Sequence, residues 1–557
     1  MAKSEFTPNP LRELQKTMWK GVGMSEGDMR RPFIGIANAY GESIAGHMHF
    51  RTLAEHLKKG IYRAGGVSSE FGTIAPCDGL AGAHNGNDYV LPSRDVIADS
   101  IELIHRAHVF DGIVILASCD KIVPAALMAA ARLDIPAMVL VGGPMVSTME
   151  FNGRKGDLTS IVEAWGMHQL GVIDQQKVDD LSEVLCPTCG SCQFYGTANS
   201  MCCLVEALGM SLPGSALIPA TYNERTRDAI ATGEAIVNLV KEGIRPSEVM
   251  SFDAIKNGIR IAMATGMSTN VVLHLMAITN ELGYEPDEIL PLFNEMNDTT
   301  PQIVQVNPAA TYDMEDFYKA GGIPRVMQRI KPLLNLDVIT SSGKTLGENI
   351  EGYRFLWPED DRVIKTLEDP VNPTGGLVLL KGNVAPDTCV AKPSGIAPEI
   401  RVFTGPAVCF DSEEECSEAI AAGKVKKGDV IVLRYEGPRG GPGMREMVVP
   451  LKTLKGRGIL TDIALISDGR FSGTNNGCFV GHISPEAAEG GPLAIIRDGD
   501  IVTVDTVDKR EVNVHLSDEE IVARLADWKY EPKKIGGVMG KYMAHVRSAN
   551  TGAVVAP

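Results

Sequence analysis

The sequence predicts an α/β protein: an N-terminal α/β domain built on a parallel sheet, followed by a smaller C-terminal domain of β-barrel-like character. Three observations carry this. Short apolar runs alternate with amphipathic stretches over the first two-thirds of the chain. A turn-rich connector, DPVNPTGG at Asp369 to Gly376, interrupts that pattern. Beyond it come short strand-like pieces separated by glycine-rich turns.

In the first part, Pro32 to Ala39 (PFIGIANA), Gly112 to Ser118 (GIVILAS) and Ala137 to Val141 (AMVLV) read as buried strands. Pro92 to His108 and Pro124 to Leu133 carry apolar residues at helical spacing. Strand–helix–strand order of this kind implies a mostly parallel sheet covered by helices. Ligands of such sheets gather at the carboxyl ends of the strands, and Cys119, Asp120 and Lys121 directly follow a predicted strand. The connector sets a boundary between an α/β domain at residues 1–368 and a β-rich domain at residues 369–557. Within the latter, Leu377 to Leu380, Asp429 to Leu433, Ile463 to Ile466 and Ile501 to Val504 are strand-like, with GPRGGPG at Gly437 to Gly443 as a turn.

A chain of 557 residues exceeds what one hydrophobic core usually serves. Its 44% hydrophobic and 22% charged residues are those of a globular protein. The net charge of −17 argues against nucleic acid or an anionic membrane as partner. An anionic substrate would then need a local positive feature, such as a metal ion or a helix N-terminus. Met1 to Arg12 has no apolar signal core, and the most apolar stretch, Gly112 to Gly143, is broken by Asp120, Lys121, Arg132 and Asp134. A cytoplasmic location is expected. There the 11 cysteines stay reduced, and ligation outranks a disulfide framework.

Three of those cysteines form CPTCGSC, at Cys186, Cys189 and Cys192. Thiolates converged by a tight turn suit zinc or an iron–sulfur cluster. Cys77 precedes Asp78 and Gly79, and Cys119 precedes Asp120 and Lys121. Each step pairs a soft ligand with a hard one, and adjacent side chains of an extended loop diverge. Sulfur could therefore face a cluster while the carboxylate faces Mg²⁺. Cys202 and Cys203, in a helical stretch, read as small buried thiols, as do Cys389, Cys409, Cys416 and Cys478. In the second part, Glu446 in GPGMREM could reach a cation across the domain junction, with glycines allowing close backbone approach. Ser472, in SDGRFSG, has no base beside it in sequence and by itself reads as a loop serine.

Taken in order along the chain, CDG at Cys77, LPSRDVIADS at Leu91, CDK at Cys119, GGPM at Gly142, CPTCGSC at Cys186 and TANSM at Thr197 resemble the dihydroxy-acid and phosphogluconate dehydratase family. STNVVLHL at Ser268, YEGPRGGPGM at Tyr435, DGRFSG at Asp468 and SPEAAEGGP at Ser484 continue the likeness over nearly the whole chain. The resemblance implies an iron–sulfur cluster on Cys119 and Cys192, and Mg²⁺ on Asp78, Asp120, Glu446 and a carbamylated Lys121. It implies Ser472 as catalytic base and a homodimer as the assembly. Family members with a [2Fe–2S] cluster tend to carry a cysteine where this chain has Gly46, so a [4Fe–4S] cluster is favoured here. Cys77 is taken as the third thiol because its CDG context mirrors that of Cys119, with Cys189 as the alternative.

The implied reaction is loss of water from 2,3-dihydroxy-3-methylbutanoate and its methylpentanoate homologue, in valine and isoleucine synthesis. A sugar-acid dehydratase is the alternative within the family, since Cys77, KIVPA, QFYGTAN and SGTNNG resemble members of that type, whereas SPEAAEGGP and the length favour the branched-chain reading. From other classes, an iron–sulfur electron carrier would need neither Mg²⁺ nor Ser472, and a zinc-stabilised binding module would be colourless.

Overall fold

The structure is a computed structural model, and it describes residues 10–471 and 476–556. Its first sheet has four parallel strands, β1 (Phe33–Asn38), β2 (Val67–Gly72), β3 (Gly112–Ala117) and β4 (Ala137–Val141), in the order β2-β1-β3-β4. Every residue of β1, β3 and β4 is buried, which is why these runs, Asn38 apart, are apolar rather than alternating. The edge strand β2, VSSEFG, is only partly covered.

The helices that matter for the site are α1 (Phe50–Arg63), α2 (Asp78–Ala81), α3 (Val90–His108), α4 (Ile122–Leu133), α5 (Thr197–Ala207), α6 (Asn223–Glu242), α7 (Phe252–Thr265) and α8 (Asn270–Glu281). Helices α3 and α4 each begin two residues before the proline that marked their expected start. Pro92 and Pro124 thus fall in first turns, where a missing N–H forfeits no intrahelical bond. Helices α1 and α6 cross at glycines: a Cβ on Gly60 would lie 1.9 Å from the Ile230 carbonyl oxygen, and one on Gly233 2.3 Å from that of Leu57.

The second sheet has eight strands: β5 (Val378–Leu380), β6 (Thr388–Ala391), β7 (Val402–Phe410), β8 (Val430–Leu433), β10 (Ala464–Ser467), β12 (Cys478–Ser484), β13 (Ile501–Asp505) and β14 (Glu511–Val514). A separate parallel pair joins β9 (Glu446–Met447) to β11 (Arg470–Phe471). The eight run in the order β14-β13-β7-β8-β10-β12-β6-β5. The two edges meet where Lys381 N donates to Arg510 O (3.1 Å) and Val512 N to Lys381 O (2.7 Å). The sheet therefore curls into a nearly closed barrel. Val430, Val432, Ala464 and Ile466 fill its interior, while the intervening Ile431, Leu433 and Leu465 pack outward in a second cluster. β7 escaped the sequence reading because Gly405 and Pro406 break its apolar run.

The connector runs along the first part of the molecule: Gln302 N donates to Asn372 O (3.0 Å), and Gly375 N to Asn297 O (2.9 Å). The chain end returns there as well. Arg94 Nη2 donates to Ala553 O (2.8 Å), and Val555 N to Asp95 Oδ1 (3.0 Å). Among the described residues no helix is long and apolar enough to cross a membrane.

Candidate active site

All four strands of the first sheet deliver their carboxyl-end loops to one place. Cys77 immediately precedes α2, and Lys121 immediately precedes α4, so Asp78 and Asp120 stand at helix starts. The CPTCGSC turn is stitched to the exit of β4: Ser191 N donates to Gly143 O (2.9 Å), and Met145 N to Ser191 O (2.8 Å). Gly190 N donates to Ala45 O (2.9 Å) in the loop after β1. Gly190 has φ +127°, and a Cβ there would lie 2.5 Å from Met145 N, so this junction needs glycine. Asn199 of α5 braces the far side, donating to Cys192 O (2.6 Å) and Phe194 O (2.8 Å).

Cys77 and Cys192 both act on Cys119, and Cys77 acts on Cys192. Burial, then the charges of Cys77 and Cys192, push the Cys119 thiol well above its ordinary range. Burial, then Asp120 and Cys77, does the same to Cys192. Cys77 is raised by burial, tempered by the N–H groups of Leu80 and Gly79 at the start of α2. Cys189 is raised by burial alone, with no neighbouring thiol acting on it. Cys186 is exposed, its sulfur 3.6 Å from that of Met145. Gly46 faces this group, for a Cβ there would stand 2.6 Å from Cys119 Sγ. His47 pins the same loop. Its Nδ1–H donates to Ala39 O (2.7 Å), while Nε2 accepts the N–H of Cys119 (3.1 Å). Burial keeps this imidazole neutral, its pKa pushed down to about 4.

Beside the thiols lies a charged group. Lys121 is fully buried, with Nζ 2.8 Å from Asp78 Oδ2 and 3.6 Å from Asp120 Oδ2. Asp78 Oδ1 is buried without a hydrogen-bond partner. Asp120 is pushed up to about 7, first by burial and next by Asp78, with Lys121 opposing and Glu446 adding to the rise. Glu446 arrives from β9, where Asn270 of α8 donates to its Oε2 (3.0 Å). The preceding glycine turn brings it there. Gly443, at φ +89°, runs so close to Asp88 that a Cβ would lie 1.9 Å from the Asp88 carbonyl oxygen.

The structure thus brings Cys77, Cys119, Cys192, Asp78, Asp120, Lys121 and Glu446 into one neighbourhood, and leaves Cys189 and Cys186 at its margin. Ser472 lies outside the described residues. Among those described, no three His, Cys, Asp or Glu side chains close on a common point as ligands gripping an ion do. The donor chemistry nonetheless fits both groups. An orphaned carboxylate oxygen among three acids suits a hard cation, and half-buried thiols near one another suit iron. Cys202 and Cys203 are fully buried in α5, as expected of packing thiols.

Asn199, Asn270 and Arg470 were not singled out as site residues from sequence. Their signal was present, since Asn199 and Asn270 are buried amides at helices made largely of apolar residues, and such groups need specific partners. His84 is exposed and caps its own loop, accepting the Gly86 N–H at 2.9 Å.

Thiols and carboxylates stand side by side at the head of a parallel sheet, with Glu446 reaching them from the barrel part of an α/β chain. Residues 31–349 match the dihydroxy-acid/6-phosphogluconate dehydratase N-terminal domain, and residues 362–553 match the corresponding C-terminal domain. The chain belongs to that family. Its relatives include a dihydroxy-acid dehydratase of Caldanaerobacter subterraneus, 48% identical over 98% of this chain and 97% of that protein. Dihydroxy-acid dehydratases of Halothermothrix orenii (46%, over the full length of both) and Ruminiclostridium cellulolyticum (46%, over 97% of both) are similar to it as well.

Proposed function

We propose that this protein is a hydro-lyase that converts 2,3-dihydroxy-3-methylbutanoate and 2,3-dihydroxy-3-methylpentanoate to the corresponding 2-keto acids, in valine and isoleucine synthesis. The observation that carries this is end-to-end similarity, at 46–48% identity, to relatives named dihydroxy-acid dehydratase. The sugar-acid alternative has no such support.

Residues 1–368 would hold the cluster and most cation ligands, with 369–557 supplying Glu446 and Ser472. Cys77, Cys119 and Cys192 would hold an iron–sulfur cluster. Cys77 acts electrostatically on both Cys119 and Cys192, which supports it over Cys189 as third ligand. Gly46, facing Cys119 where members with a [2Fe–2S] cluster tend to carry a cysteine, supports a [4Fe–4S] cluster. Asp78, Asp120, Glu446 and a carbamylated Lys121 would hold Mg²⁺; the carbamate turns a buried cation among acids into an oxygen ligand. When bound, the two groups supply Lewis acidity toward the departing hydroxyl and toward the substrate carboxylate and C2 oxygen. Ser472, as alkoxide, takes the C2 proton; the C2–H electron pair forms the C2=C3 bond as the C3–O bond breaks. The resulting enol takes up a proton at C3 to give the keto acid, with no net redox change. The enzyme is a cytoplasmic homodimer in this reading.

Anaerobically purified protein should turn over dihydroxyisovalerate far faster than gluconate or xylonate. Turnover of the sugar acids alone would overthrow the assignment. Ser472→Ala should abolish turnover while iron and sulfide content stay as in the wild type.

A further inference from the structure

We propose that Asn270 is the positioning residue that makes Glu446 a one-oxygen ligand and keeps Arg470 from capturing it; this rests on the cation site proposed above. Glu446 is the one acid of the group that comes from the barrel side, on a two-residue strand, and its side chain is a quarter exposed. A side chain with three rotatable bonds in that setting is not preorganised by its own backbone.

Asn270 supplies what the backbone does not. It is the first residue of α8 and is buried. Its Nδ2 donates to Thr197 Oγ1 (2.8 Å) and to Glu446 Oε2 (3.0 Å), while its Oδ1 accepts from Arg470 Nη1 (3.2 Å). The amide has only one workable orientation, because a guanidinium can only donate and a carboxylate can only accept. Arg470 is itself fully buried and tied by Nε to Met444 O (2.6 Å). It stands directly opposite Glu446 in the β9–β11 pair, and its Nη1 lies 3.7 Å from Glu446 Oε2, an ion pair that stops short of a hydrogen bond. Asn270 occupies both partners and holds them apart. Oε2 is thereby engaged by Asn270, which would leave Oε1 to the cation.

Without Asn270, Arg470 and Glu446 are free to close into a direct charge-assisted pair, which draws the carboxylate away from Asp78 and Asp120. The loss would be in cation affinity rather than in the chemical step. Outer-shell partners of metal ligands are typically worth ~10–100-fold in affinity.

The test is a Mn²⁺ titration, read by electron paramagnetic resonance, on full-length protein purified anaerobically and stripped of divalent cation. Asn270→Ser and Asn270→Asp should each raise the Mn²⁺ dissociation constant ~10–100-fold. Turnover of Asn270→Ser should recover toward the wild-type kcat at high Mg²⁺, a rescue that a merely damaged fold would not show. Thr197→Val, which frees the other Nδ2 hydrogen while preserving shape, should weaken Mn²⁺ binding by a smaller factor and stands in if the Asn270 variants fail to fold. Mn²⁺ affinities within twofold of wild type in folded variants, with Glu446→Gln clearly weakened, overturn the role of Asn270 alone. If Glu446→Gln also binds Mn²⁺ as wild type does, the cation site falls and this inference with it.

Discussion

The two Cys-Asp steps look alike in sequence and are held very differently. Cys119-Asp120 leaves the interior strand β3, flanked by β1 and β4, and leads into a twelve-residue helix. Its backbone N–H is taken by His47, and its neighbour Lys121 is fully buried. Cys77-Asp78 follows the edge strand β2 and leads into a helix of four residues, within which Gly79 and Leu80 are exposed. Asp78 keeps one carboxylate oxygen without a partner. The two steps are about equally exposed (21% for Asp78, 20% for Asp120), so the difference lies in the backbone: an interior strand is paired on both sides, and an edge strand on one. The Cys119 step is accordingly the anchor and the Cys77 step the adaptable member.

The largest effect should come from breaking the anchor. Cys119→Ser should abolish both visible absorbance and turnover, because its loop leaves an interior strand and its backbone N–H is fixed by His47. Cys77→Ser should keep a measurable fraction of iron and sulfide, since that loop can adjust. Equal iron content in the two variants would erase the distinction.

Two glycines sharpen it further. A Cβ on Gly46 would stand 2.6 Å from Cys119 Sγ, whereas the nearest atom to a Cβ on Gly79 is Cys77 Sγ at an ordinary 3.8 Å. The sulfur can rotate where a backbone could not, so Gly46→Ala should fold normally and lose most of its cluster. Gly79→Ala should change neither cluster content nor stability beyond ~0.5 kcal/mol. Iron analysis and thermal unfolding of the pair check both halves.

The same contrast explains what could be read in advance. Strands β1, β3 and β4 were legible because burial on both faces makes them uniformly apolar. The barrel was legible as strand-rich, but β7 was not, with Gly405 and Pro406 inside it. The Cys-Asp steps and Glu446 stood out because their residue types announce ligation. Asn270 did not, because its meaning lies in Arg470, 200 residues away. Nor did the grip of His47 on Cys119 across 72 residues. A ligand's identity is local, whereas the hydrogen bonds that aim it are made by the fold.

That grip gives the last and smallest effect, on stability rather than chemistry. In the fold, His47 takes up a proton only near pH 4, against 6.5 for an ordinary histidine. Between those values the unfolded chain binds the additional proton, so acid favours unfolding there. The stability held through neutral His47 is complete above pH 6.5 and is lost as pH falls toward 4, by about 3 kcal/mol at most. His49 and His105, also pushed down to about 4 by burial, act in the same direction. Urea midpoints should therefore drop between pH 7 and pH 4.5. His47→Gln should lower the midpoint at pH 7 by the equivalent of ~1–3 kcal/mol, the cost of leaving the Cys119 N–H or the Ala39 carbonyl badly paired. It should also flatten the acid slope, because glutamine does not titrate. A variant that lost stability at pH 7 but kept the full acid slope would show that other histidines, and not the one anchoring Cys119, set the acid response.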